Sequence, residues 1–186
     1  MSAHGDEGAD WPAHVTWLLE RHPRATWPSA ASSMAAFWLE VHEHLRRDAA
    51  GLELAADHYA QDRTSAEQLA VIAAPRLRGL VAAMHGHHQI EDTLYLPAFR
   101  HDEPRLAAGF DRLERGHLGL NVSVTAALAA LAELRAAAER SAEPATLRVA
   151  GTRYVATTTA LCRGLLAHLD EEENLVVPLL IERGNY

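Results

Sequence analysis

Cysteine occurs once in the 186 residues, at Cys162, so no disulfide can form within the chain. A lone thiol suits a reducing compartment. The opening MSAHGDEGADW is acidic and lacks the basic-then-apolar order of a secretory signal, so a cytoplasmic location is expected. Lysine is absent: all 17 basic residues are arginine. With alanine so abundant, that bias reads as genome base composition and not as function. Positive charge is scarce overall, 17 basic residues against 25 acidic, for a net charge of −8. That balance argues against nucleic acid and against an anionic membrane as partners. No apolar run approaches the roughly 18 residues of a membrane span. No segment sustains two-residue alternation of apolar and polar side chains, so no strand is predicted. The chain is long enough for one domain with a sizeable core, and 48% of it is hydrophobic.

What is present is helical periodicity. Residues 1–31 form an N-terminal extension broken by Pro12, Pro23 and Pro28, with room for one short helix from Asp10 to His22. Trp11, Val15, Leu18 and Leu19 would be its buried face. Residues 32–183 then read as four long amphipathic helices. The first, about Ser33 to Ala60, carries Trp38, Val41/His42, Leu45, Ala49, Leu52 and Ala56 on one stripe. The second starts at the capping box Thr64-Ser-Ala-Glu67 and ends near Arg100, with a kink or break expected at Pro75. Its stripe is Leu77, Leu80, Met84, Leu94 and Ala98. The third starts at Asp102 and Pro104, reaches about Arg140, and carries Phe110, Leu113, His117, Leu120/Asn121, Val124, Leu128 and Leu131. The fourth follows Glu143-Pro144, stops at Gly184, and has the cleanest stripe: Tyr154, Thr158, Leu161, Leu165, His168, Glu172, Leu175 and Leu179. Short connections between such helices predict an all-α, antiparallel up-down four-helix bundle.

Twelve histidines are the unusual component, and several interrupt the apolar stripes. His87 and Glu91 lie four residues apart, on one helix face, and Pro97 follows. His168, Glu172 and Pro178 repeat that frame with identical spacing. His42 and His117 interrupt the other two stripes. At about 1.5 Å of rise per residue, antiparallel packing brings all four histidines to comparable depth. A His and a Glu in a core need hydrogen bonds, ion pairing or a metal. Imidazole plus carboxylate is a normal ligand set for iron, manganese or zinc. Any one core histidine is more often a hydrogen-bonded packing residue. The duplicated frame and the common depth favour a shared metal site.

The segments FWLEVHEHLRR (His42), HHQIEDTLYLP (His87, Glu91), ERGHLGLN (His117) and HLDEEENLVVP (His168, Glu172) resemble the hemerythrin-like, HHE cation-binding family across residues of about 33–182. That resemblance implies two non-haem irons, bridged by an oxo or hydroxo group. Glu91 and Glu172 would bridge as well, with His42, His87, His117 and His168 capping the individual irons. It also implies a small-molecule ligand (dioxygen, hydrogen peroxide or nitric oxide), and either a di-iron oxidoreductase of peroxidase, catalase or nitric-oxide-handling type or a binding protein. The rivals are an oxygen or redox sensor or iron-binding module without turnover, and a bundle around a single structural metal such as zinc.

One departure stands out. The family's third helix usually carries two histidines four residues apart, but Asn121 follows His117 at that spacing. One protein ligand is then missing, and reversible oxygen carriage becomes less expected than reaction. Asn121→His is expected to complete the set. Glu114, three residues before His117, is a candidate for the vacancy, and His88/Asp92 are expected to support the ligands rather than bind. Glu173 is an alternative to Glu172. His44 should be solvated, and His4, His14, His22, His58 and His101 read as surface residues.

Overall fold

The structure, a computed structural model, describes residues 13–30 and 33–184. Its elements are α1 (Ala13–Arg21), a 3-10 turn (Arg24–Thr26), a single turn α2 (Trp27–Ala30), α3 (Ser33–Ala60), α4 (Ala66–Ile90), a π-helical turn (Glu91–Tyr95), α5 (Leu96–Asp102), a second 3-10 turn (Pro104–Leu106), α6 (Ala107–Glu139) and α7 (Pro144–Arg183). No strand occurs among the described residues. α3 packs on α4, α4 on α6, α6 on α7, and α7 back on α3. The Tyr59 hydroxyl, near the end of α3, donates to the Arg148 carbonyl near the start of α7, while His42 near the start of α3 meets Glu172 far along α7. Those two contacts fix an antiparallel pair.

Each boundary has a local cause. Ser65 accepts from the Gln68 amide while the Gln68 side chain accepts from the Ser65 amide. This is the expected capping box, one residue later than Thr64–Glu67. Pro75 does not break the helix. It is exposed, as is Val71, the residue whose carbonyl it leaves without an N–H, so the lost bond falls on the solvent side of the helix. Pro144 opens α7, and Gly184 closes it with φ of 56°, a backbone that favours glycine. The expected short helix is present as Ala13–Arg21 with Leu18 buried. Asp10, Trp11 and the side chain of Val15 lie outside the described residues.

The real interruption lies at Glu91–Tyr95, where the Leu96 amide bonds to the carbonyl of Glu91, five residues back. One residue is thereby inserted into the helical register. Leu94 and Ala98, expected on the inner face, are exposed, and Leu96 and Phe99 are buried in their place. On α6, Leu128 faces out and Ala127 faces in. The stretch Pro104–Glu139 reaches a mean hydropathy of 1.4, enough by length and composition to cross a membrane. In the fold it is a bundle helix, burying Phe110, Leu113, Leu120, Val124 and Leu131.

The apolar core falls into two clusters. One holds Leu45, Leu80, Met84, Leu120, Leu165 and Leu169, and extends to the far end of the bundle. The other is richer in aromatics and holds Trp38, Leu96, Phe99, Phe110, Leu113 and Leu175, with Leu18 and Trp27 from the N-terminal segment. On each long helix a polar group sits between them: His42 between Trp38 and Leu45, His87 to Glu91 between Met84 and Leu96, His117 between Leu113 and Leu120, and Glu172 between Leu169 and Leu175.

Candidate metal centre

All six residues singled out from the sequence meet in that layer. His42, His87, Glu91 and Glu172 offer ligand atoms within 4.8 Å of one another, and His117 and His168 form a second such group with His88. The carboxylates join the two groups. Glu91 Oε1 lies 3.0 Å from His87 Nε2, and its Oε2 lies 3.5 Å from His117 Nε2. Glu172 Oε1 lies 3.1 Å from His42 Nε2, and its Oε2 lies 3.6 Å from His168 Nε2. Each glutamate therefore presents one oxygen to each group.

Many of these atoms lack the partners that buried polar atoms normally have. Both oxygens of Glu91, both ring nitrogens of His88, Nε2 of His117 and of His168, and Oε2 of Glu172 are buried without a hydrogen bond. Left so, each costs on the order of 1–3 kcal/mol. Cations at the two groups would satisfy them together, and the donor set of imidazoles and carboxylates fits that role.

The outer ends of the imidazoles are fixed. Asp92 Oδ1 lies 2.8 Å from His117 Nδ1, and Glu173 Oε1 lies 3.0 Å from His42 Nδ1, which leaves each Nε2 facing inward. Glu173 thus sits one step outside the cluster, where Arg46 and Arg24 also donate to it. The Trp38 indole donates to Glu172 Oε1 at 2.5 Å. Arg24 further donates to the Asn174 side chain and the Asp170 carbonyl, so the segment ahead of the bundle is clipped onto α7 beside the site.

Several expectations need correction. His88, expected only to support the ligands, is buried, its ring stacks on that of His117 at 3.9 Å between centroids, and it groups with His117 and His168 as a possible ligand. Asn121 does not face the core. It is exposed, and its Oδ1 pairs with the Nε2 of exposed His85 at the surface. Glu114 is turned away as well, ion-paired with Arg100. The position expected to be vacant on α6 is thus matched by His88 on α4. His44 is exposed, as expected, and so is His101. His58 is half-buried, and His22, also half-buried, pairs with Glu182. His4 and the side chain of His14 lie outside the described residues.

Gly116 sets how closely α6 approaches. A Cβ there would lie 2.6 Å from His168 Nδ1, whereas one at Gly119 would meet nothing within 4 Å. Gly116→Ala is expected to displace His168, weaken metal binding and cost about 1–3 kcal/mol from overpacking. Gly119→Ala should be neutral or stabilise by up to about 1 kcal/mol through helix propensity. Thermal melts with metal analysis compare the two; equal metal content would remove Gly116 from the account.

Electrostatics split the cluster. Burial opposes charge on His42, but the carboxylates of Glu172 and Glu173 outweigh it and hold its pKa at about 9. Burial pushes His87 and His168 down to about 4, and His88 to about 2. Burial and the neighbouring Glu172 charge raise Glu91 well above the usual carboxylate range. Burial works the same way on Glu172, yet the His42 imidazolium holds it well below that range. The metal-free protein should therefore be most stable near pH 6.5. His42 stabilises fully below its unfolded value of 6.5, a contribution lost as pH rises through about 9 and worth on the order of 3 kcal/mol. His87 and His168 contribute above 6.5, and lose that contribution as pH falls through about 4. Glu91, with its raised pKa, softens the acid side. Bound metal replaces these protons and should flatten the profile. Melts of metal-free protein from pH 5 to 9.5 are the check, and equal melting temperatures at 6.5 and 9.5 would count against the His42 assignment.

A family model described as hemerythrin HHE cation binding domain matches residues 33–180, most of the chain. No curated protein and no solved structure matches.

Proposed function

The chain belongs to the hemerythrin HHE cation-binding domain family, and from that premise we propose that it holds two non-haem irons and acts on dioxygen, hydrogen peroxide or nitric oxide. His42 and His87 would serve one ion, His88, His117 and His168 the other, with Glu91 and Glu172 shared. The observation that carries this reading is the position of the two glutamates, each with one oxygen beside either histidine group. A single structural metal would leave the second group of buried, unpartnered imidazoles unexplained.

When bound, the irons supply Lewis-acid and redox chemistry. The protein's part is geometric and electrostatic. Glu173 and Asp92 hold His42 and His117 with Nε2 inward. Trp38 fixes one oxygen of Glu172, whereas Glu91 has no such anchor and is the carboxylate more readily protonated. The two apolar clusters exclude water above and below the layer. Histidines divide three against two, so the His42/His87 side would be the one to take an external ligand, and a cavity lined by His87 and Glu91 opens there.

The test is stoichiometry followed by turnover. Anaerobic reconstitution should give two irons per chain, coupled magnetically after oxidation as Mössbauer spectroscopy reads it. Added peroxide or nitric oxide should then be consumed catalytically. One iron per chain, or preferential retention of zinc, overturns the two-iron reading. Two irons without turnover favour a binding or sensing role.

A further inference from the structure

The cavity beside His87 and Glu91 is larger than the small molecules of that reading require. It holds about 300 Å³, open on one side, and is lined by Phe37, Trp38, Val41, Ile90 and Tyr95 as well as the two polar residues. Dioxygen or peroxide occupies about the volume of one water, roughly 30 Å³. A pocket about ten times larger is the scale of an organic ligand.

Its walls say which kind. Trp38 meets Tyr95 edge-on at 5.1 Å and His87 at 6.2 Å, and Phe37 stands half-exposed at the rim. Flat, quadrupolar walls favour an aromatic ring over an aliphatic chain. A cavity of about 150 Å³ accepts benzene in other proteins, so one substituted ring fits this one. The floor is not apolar: His87 and Glu91 line it. A second hollow, of about 320 Å³, shares Phe37, Val41 and Ala83 with it and is lined further by Glu40, His44 and Leu45.

We propose that this cavity binds a single-ring phenol, ring among Trp38, Tyr95 and Phe37 and hydroxyl at the His87 and Glu91 end, as the reductant for peroxide. The role as reductant rests on the two-iron reading; the binding site does not. Two phenols each give up one electron and one proton to one hydrogen peroxide, and two waters and two phenoxyl radicals result.

Calorimetric titration of phenol into the iron-loaded protein tests it, with cyclohexanol as the non-aromatic control of equal size. One saturable site per chain is expected, cyclohexanol binding at least ten-fold more weakly. Val41→Phe fills the cavity and should weaken phenol at least ten-fold at unchanged iron content. Ala83→Phe at the mouth should do the same, and stands in if Val41→Phe does not fold. Absent saturation in iron-replete protein, equal affinity for cyclohexanol, or indifference to both substitutions overturns the site. Phenol that binds but is not consumed at two per peroxide overturns the role as reductant. Phenol binding in protein that cannot be reconstituted with two irons keeps the cavity and sinks the two-iron reading instead.

Discussion

Replacing either Glu91 or Glu172 by alanine should strip most of the metal from the protein, while His44→Ala should leave it in place. Each glutamate stands with one oxygen at each histidine group, so either truncation removes a donor from both groups at once. It also removes the negative charge that a cluster of imidazoles and cations requires. Supporting residues around a metal typically contribute 10–100-fold in affinity, so loss of a shared ligand should cost at least about 100-fold. Stability follows, since ligand at about 100 times its dissociation constant adds roughly 2.7 kcal/mol by mass action. For a chain of this length that is about 5–10 °C in melting temperature. The two variants should differ in detail. Glu172→Ala also leaves the buried Trp38 indole without its acceptor and His42 without one of its two charge partners. Glu91→Ala removes a group with no hydrogen bonds to lose, so its metal-free form should melt close to the metal-free parent. Metal analysis after desalting decides the matter, and full metal content in both variants would defeat the site assignment.

The sequence shows α3 and α7 almost residue by residue. Trp38, His42, Leu45, Ala49, Leu52 and Ala56 are all buried, and so is every residue of the stripe from Tyr154 to Leu179. Large apolar side chains mark those faces at steps of three and four, which is all that periodicity needs. α6 is harder to read because its inner face is partly alanine. Positions 110, 113, 117, 120, 124, 127, 131 and 134 form a strict heptad, with Gly109, Ala130 and Ala137 buried beside it. Ala127 is inconspicuous next to Leu128, however, and a looser reading admits Leu128 and Asn121. α4 hides two things. Its inner stripe faces α3 on one flank and α6 on the other, so adjacent residues both bury: His87 toward His42, His88 toward His117. A helix in a bundle buries an arc of 100° or more, and a single-file stripe underestimates it. The π turn is the other hidden feature. The frame His-x-x-x-Glu followed by proline occurs twice with one spacing, yet α7 runs through Pro178 as regular helix while the backbone ahead of Pro97 widens. Nothing local to the repeated residues separates the two outcomes, and the equivalent positions Leu96 and Val177, Phe99 and Leu180 all pack into the same aromatic cluster.

His88 offers the sharpest test of the corrected site. On the two-iron reading, His88→Ala should weaken the metal held by the His88, His117, His168 group, because it takes one of three imidazoles from it, and leave the His42 group whole. Asn121→His, by contrast, should change neither metal content nor turnover, since position 121 points to solvent and pairs with His85. A purely structural role for His88 makes a different prediction, and stability separates the two. His88 is buried with neither ring nitrogen hydrogen-bonded, and burial holds its pKa near 2. An imidazole in that state costs the metal-free fold free energy on the order of 1–3 kcal/mol. Truncation relieves that cost and opens a cavity of opposing sign. The metal-free variant should therefore melt within a few degrees of the metal-free parent, while the metal-loaded variant falls well below the metal-loaded parent. His85→Ala, at an exposed position paired only with Asn121, is the control and should match the parent in both states. Two ions retained in His88→Ala, with the same melting temperature as the loaded parent, would return His88 to the core and reopen the question of what completes the three-histidine group.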